Sequence, residues 1–187
     1  MGLVELVQDR RTGTERIVVR REGARRPVTI DVGRLMGAIS RGHVEIMRDD
    51  LGEVLHSASA DDVEYVFGDS VASISADGEV TFEHGPPRRF ELVIGADGLH
   101  STVRRLVFGT ADTRWLGAYL AVASIPNHRG LRDTLNGVVG VDRLAGTYSA
   151  RHMPDERSDA FYFDSVTQLR LDGWCRGRVA PVGDAGY

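Results

Sequence analysis

Short runs of alternating apolar and polar residues fill most of this chain and predict strands more often than helices. Arg16-Ile-Val-Val-Arg20 and Val28-Thr-Ile-Asp-Val32 flank Gly23 and Pro27, as two strands around a turn do. The first forty residues read as such strand-like pieces throughout. Val44 and Ile46 alternate toward Arg48; Leu51, Val54, Leu55 and Ala58 then fall at helical spacing. Asp50 stands three residues before Glu53 there, in a capping-box-like arrangement. Val63–Phe67, Val71–Ser75 and Val80–Glu83, with a turn at Ala76-Asp77-Gly78, predict a β-meander that Gly85-Pro86-Pro87 breaks. Trp115 to Pro126 predicts a long strand, and shorter ones follow up to Tyr148. Phe161, Phe163 and Ser165 alternate with Tyr162 and Asp164, so one face of that strand is expected to be buried. Arg170, Asp172-Gly173 and Gly177 mark turns before a last strand. The pattern is strand-rich with two helices, and it shows no internal repeat and no low-complexity linker.

One stretch departs from simple alternation: Glu91-Leu-Val-Ile-Gly-Ala-Asp97-Gly98-Leu-His-Ser101-Thr-Val-Arg104-Arg105. Leu92, Val93 and Ile94 form a continuous apolar run, which predicts a strand covered on both faces. Ser101 stands where an N-cap belongs, with Val103, Leu106 and Val107 as the apolar side of a following helix. Asp-Gly pairs also occur at Asp77-Gly78 and Asp172-Gly173, where ordinary turns are expected. At Asp97-Gly98 the strand before and the helix after leave two readings open. One is a junction that touches a nucleotide cofactor, where backbone N–H groups and a carboxylate gather; the other is a plain strand–helix turn.

Composition narrows the field. A chain of 187 residues is long enough to bury a sizeable core. Its net charge of −4, with both signs interspersed, argues against a nucleic-acid surface. Arginine pairs at Arg10-Arg11, Arg20-Arg21 and Arg25-Arg26 read as solvated strand faces. Cys175 is the lone cysteine, so no intrachain disulfide and no cysteine-based metal cluster is expected. The six histidines have no metal-ligand spacing and read as surface or loop residues, so no metal site is assigned. No apolar run approaches the roughly 20 residues of a membrane span. Glu5 interrupts the apolar patch at the N-terminus, so no signal peptide, no membrane partner and a cytoplasmic location are expected.

Few side chains suggest chemistry of their own. Ser101 lacks a Gly-x-Ser-x-Gly frame, so no catalytic residue is nominated. The Arg48 guanidinium suits a diphosphate or a carbonyl-rich edge, or else an ion pair with Asp49 or Asp50. Arg104 is expected to pair with a neighbouring carboxylate and shape its turn. Tyr119, Tyr148, Phe161 and Phe163 line either a substrate or a packed core.

At Val93-Ile-Gly-Ala-Asp97-Gly98-Leu-His-Ser101-Thr-Val-Arg104 the chain resembles the flavin-dependent aromatic hydroxylases, the family of para-hydroxybenzoate hydroxylase. The match is to that family's Asp-Gly fingerprint. In the expected order, Val44-Glu-Ile-Met-Arg48-Asp-Asp-Leu51-Gly-Glu-Val-Leu55 is similar to the strand, arginine and helix that precede it. Arg178-Val-Ala-Pro-Val-Gly183-Asp184-Ala-Gly-Tyr187 resembles the Gly-Asp fingerprint. Val63–Ser70, Tyr119–Val122 and Phe161–Ser165 are similar to the subgroup that includes tetracycline-modifying monooxygenases.

The resemblance implies an α/β (α+β) fold: an incomplete FAD/NAD(P)-binding domain interleaved with a β-sheet substrate domain. It assigns 1–41 to the substrate sheet, 42–108 to the middle of the FAD domain, 109–171 to the substrate sheet and 172–187 to the start of the last FAD segment. It implies FAD as cofactor, reduction by NAD(P)H and hydroxylation of an aromatic or polyketide-like small molecule. Arg48, Asp97, Gly98, Gly183 and Asp184 are then the cofactor-binding residues, with Asp184 accepting from the ribityl chain or, on its own chemistry, capping a helix.

Departures from the family pattern point to an incomplete chain. No Gly-x-Gly-x-x-Gly occurs, the segment Arg151 to Asp159 looks contracted, and the sequence stops at Tyr187. Pro181 also interrupts a strand that should lie inside a sheet. The chain alone is therefore expected to be inactive, or a non-catalytic remnant or binding module without FAD. Its exposed sheet edges are expected to favour self-association.

Overall fold

A computed structural model describes residues 2–39, 42–151 and 161–186. The chain divides into two units, Met1–Glu64 with Ser124–Asp159 and Tyr65–Ala123 with Ala160–Tyr187. Sheets and helices are mixed in both, an α+β architecture.

The first unit begins with a helix, α1 (Leu3–Asp9), where strand-like structure was expected. Strands β1 (Arg16–Arg21) and β2 (Val28–Asp31) form the antiparallel pair that the pattern around Gly23 predicts. Asp31 ends β2 early because its carboxylate accepts the Arg34 N–H at 2.8 Å, which starts helix α2 (Val32–Ile39). Helix α3 (Arg48–Ser59) follows, with Ile46 contributing an isolated bridge to Arg11 rather than a strand. Because α3 already starts at Arg48, Asp50 lies inside its first turn and forms no capping box; Glu53 instead takes a two-pronged bond from Arg10 at 2.6 and 3.2 Å. Strands β8 (Thr134–Gly140) and β9 (Arg143–Tyr148) complete a four-stranded sheet of order β2-β1-β8-β9, in which β1 and β8 run parallel.

The second unit holds a three-stranded meander, β3 (Val71–Ile74), β4 (Glu79–Phe82) and β5 (Arg88–Arg89). The expected strand at Val63–Phe67 is absent: Val63 N–H bonds back to Ser59 O at 2.9 Å, and Phe67 is 77% exposed. Strand β6 (Val93–Gly95) leads to helix α4 (Thr102–Phe108) and pairs in parallel with β11 (Val179–Pro181). Long strands β7 (Asp112–Ala123) and β10 (Phe161–Arg170) make an antiparallel ribbon. Among the described residues, Val80, Val103, Leu169, Val179 and Ala185 are buried hydrophobic side chains of this unit.

Two burial expectations are corrected. Leu92 and Ile94 of the fingerprint segment are exposed, because β6 has one neighbouring strand among the described residues and its faces are open. On β10, Phe163 and Tyr162 point to opposite faces and both are exposed, since the β7–β10 ribbon is two strands wide. Among the described residues four α-helices form where two helices were expected. The contraction between Arg151 and Asp159 lies, beyond Arg151, outside the described residues.

Candidate functional site

The local sequence dictates how β6 turns into α4. Ser101 is the N-cap: its Oγ accepts the Arg104 N–H at 2.9 Å and donates to the Asp97 carboxylate. Asp97 Oδ2 accepts the Thr102 and Val103 N–H groups at 2.7 and 3.0 Å. The first donors of α4 are thus satisfied from within the chain, by a carboxylate at the positive end of the helix. Desolvation pushes the Asp97 carboxyl up, but the Ser101 hydroxyl and the backbone N–H groups outweigh it and hold it below the ordinary carboxylate range.

That direction fixes a pH dependence. A carboxyl depressed in the folded state contributes stability above its unfolded value near pH ~4, and the contribution is lost as pH falls through the folded value. Asp97→Ala should cost about 1 kcal/mol at neutral pH, the scale of a lost cap. It should also flatten the acid limb of a urea-midpoint profile. An acid limb identical to that of the parent chain would remove Asp97 from the account.

The second turn arrives beside the first. Val179, Ala180 and Pro181 of β11 face Val93, Ile94 and Gly95 of β6, and Val182 N–H bonds Gly95 O at 2.8 Å. Since Val182 donates toward β6, the missing donor of Pro181 falls on the side away from it, and this position tolerates proline. Gly183 to Ala185 then form a short 3-10 turn. Asp97-Gly98 and Gly183-Asp184 therefore stand at the carboxyl ends of adjacent parallel strands, where open α/β sheets bind their ligands.

Arg104 locks the two turns together. It is 8% exposed and donates to Leu99 O at 2.6 Å, to Ala185 O at 3.0 Å and more weakly to Gly98 O at 3.5 Å. The expected carboxylate partner is replaced by peptide carbonyls, which a guanidinium fork can reach in several directions at once. Sequence gave no sign of this, because Ala185 lies 81 positions away.

The glycines leave room. Gly98 has φ +78° and Gly183 φ +57°, and nothing lies within 4 Å of where a Cβ would sit on either. Asp184 is exposed, and no hydrogen bond from a described residue reaches its carboxylate. The 3-10 turn is capped at Val182, so Asp184 is not an N-cap.

His100 adds a contact that spacing did not reveal. Its Nε2 lies 3.0 Å from Asp164 Oδ2 on β10. The Asp164 carboxyl is held below its ordinary range, first by that hydrogen bond and then by the Ser165 N–H. On the same ribbon the rings of Tyr119 and Phe163 stack at 5.5 Å, and Phe161 and Phe163 at 6.3 Å. These aromatics are exposed rather than core.

The structure thus brings four of the five expected residues, Asp97, Gly98, Gly183 and Asp184, into one place in the second unit. Arg48 belongs to the first unit, where it opens α3; it is exposed and forms no ion pair with Asp49 or Asp50. Tyr148, also in the first unit, donates to Met47 Sδ at 3.4 Å. An open hollow of about 870 Å³ in that unit runs from Arg11 to Glu45, and Arg48 does not line it.

Comparison with known proteins bears on these turns. No family model matches the chain. A flavin-dependent monooxygenase of Legionella longbeachae serogroup 1 (strain NSW150) is 30% identical over 204 residues, covering 83% of this chain and 52% of the relative. The crystal structure of the tetracycline destructase Tet(51) matches with a TM-score of 0.75 at 30% identity, over 97% of this chain and 58% of that one. A Klebsiella pneumoniae HpxO variant complexed with FAD shares the fold, with a TM-score of 0.70 at 19% identity over 97% of this chain and 60% of its own. The chain spans about half the length of the curated relatives it matches. The likeness in sequence and the likeness in fold both run over most of the chain and agree with the paired fingerprint turns; the chain belongs to the flavin-dependent monooxygenase family.

Proposed function

We propose that this chain is the middle portion of an NAD(P)H-dependent flavin monooxygenase that hydroxylates an aromatic or polyketide-like small molecule. The observation that carries the reading is the pair of turns at the carboxyl ends of β6 and β11, tied by Arg104. The residues present fit part of an FAD. Asp184 offers an acceptor that no described residue uses, suited to ribityl hydroxyls, and Gly98 and Gly183 admit a ligand close to the backbone. Arg48 supplies a guanidinium suited to a diphosphate or a carbonyl-rich edge. Asp97 acts through the turn, since its carboxylate already holds the start of α4. When bound, FAD would supply the redox chemistry with oxygen.

The fit stops at the pyrophosphate. The leading N–H groups of α4 are engaged by Asp97, and the sequence has no glycine-rich turn to replace them. That observation favours the second reading, in which the 187-residue polypeptide keeps the fold without holding FAD or turning over.

The purified chain is accordingly expected to be colourless and to retain no stoichiometric flavin after FAD is added and the excess removed. A yellow protein would show that the glycine-rich turn is dispensable. A chimaera in which a Gly-x-Gly-x-x-Gly strand–turn–helix segment precedes this chain tests the cradle itself. It should retain flavin, and Asp184→Ala should release it. A chimaera whose flavin occupancy ignores both Asp184→Ala and Gly98→Val would overturn the placement.

A further inference from the structure

One end of the four-stranded sheet in the first unit carries a feature that the flavin reading does not use. Because β1 and β8 run parallel, with Arg20 opposite Val138 and Arg21 opposite Val139, the β1–β2 turn and the β8–β9 turn lie side by side. Glu22 N–H bonds Val139 O at 2.8 Å, and Arg143 Nη2 donates to both oxygens of Glu22 at 2.6 and 2.8 Å, clasping the two turns. That clasp neutralises the Glu22 carboxylate. The side chains of Arg20, Arg21, Arg25 and Arg26 remain exposed, with no hydrogen bond or ion pair to a described residue. Beside them project Val141 at 82% and Leu144 at 73% exposure, with Val28 at 64%. Five arginines and two carboxylates, Glu22 and Asp142, belong to this tip of a chain whose net charge is −4, with Arg20 and Arg21, consecutive on β1, on opposite faces of the sheet.

We propose that this tip docks on the surface of an anionic phospholipid bilayer, its arginines on headgroups and its aliphatic side chains at the acyl boundary. Unpaired guanidiniums alone suit any polyanion. The adjoining aliphatic side chains distinguish a lipid surface, because a nucleic acid offers them nothing while the interfacial zone of a bilayer does. The want of a membrane-crossing helix among the described residues, behind the sequence-based expectation of no membrane partner, does not bear on a protein that lies on the surface. The inference is independent of FAD.

The test is co-sedimentation of the 187-residue chain with vesicles of phosphatidylcholine alone or mixed with phosphatidylserine. The chain should pellet with the mixed vesicles only, and salt at ~1 M should release it. Each of Arg25→Ala and Arg26→Ala should lower the partition coefficient about fivefold. Val141→Ser with Leu144→Ser should lower it several-fold, with unchanged circular dichroism. No pelleting, or equal pelleting with neutral vesicles, would overturn the proposal. So would binding that duplex DNA competes away and that the Val141/Leu144 variant leaves intact, since that pattern marks a general polyanion site.

Discussion

Replacing Arg104 by alanine is expected to lower the stability of the chain by about 3 kcal/mol, because two short charge-assisted bonds disappear from a buried site. The carbonyls of Leu99 and Ala185 lose their guanidinium donor, and a space the size of that group opens between α4 and the Gly183–Ala185 turn. Lysine at the same position keeps one charge but reaches in one direction only, so Arg104→Lys should recover less than half of the loss. The measurement is the urea midpoint of each variant at constant slope. A change under about 0.5 kcal/mol for Arg104→Ala would put the residue among ordinary surface positions and dissolve the link between the two turns. The prediction also separates two roles. If Arg104 merely shaped its own helix, hydrogen exchange would speed up at Ser101–Arg104 alone; as a bridge it should also expose the Val182 N–H, just past β11.

What could be read from the sequence follows the range of the forces involved. Ser101 as N-cap, the turn between β1 and β2, the β3–β4 hairpin and the Gly183 turn are all fixed by residues a few positions apart, and each appears where local chemistry puts it. The helices α1 and α2 carry little local signal because each is short and neighbours strand-forming runs; α2 depends on Asp31 accepting the Arg34 N–H, a cap that the valines around it hide. Alternation at Val63, Tyr65 and Phe67 has the period of a strand, yet no strand pairs with it among the described residues, and period alone makes no ladder. Parallel pairing of β1 with β8, and so the arginine-rich tip, joins residues more than a hundred positions apart, beyond any local signal. Of the site, the two turns were legible as motifs, and their adjacency came from the family resemblance. The Arg104 and His100 contacts were not legible, because neither partner stands near in sequence.

Gly95→Val should be the second most damaging change at the site, by about 2 kcal/mol. Gly95 is buried at the end of β6, and a Cβ there would lie 2.8 Å from Val103 Cγ1 and 2.9 Å from Val103 Cβ. The second of these atoms is fixed to the α4 backbone, so no rotamer change relieves the overlap and the helix itself must move. Displacing α4 drags the Thr102 and Val103 N–H groups away from Asp97 and the Arg104 fork away from Ala185, so the damage spreads from packing into both turns. A compensating pair tests this account. Val103→Ala removes the colliding Cγ1 but keeps the Cβ, so Gly95→Val combined with Val103→Ala should lose less than the sum of the two single losses, although Val103→Ala by itself destabilises a buried position. Strictly additive losses in the double variant would mean that strand and helix are not in contact at this point. The short distance between β6 and α4, which allows Asp97 to reach the helix start, would then need another origin.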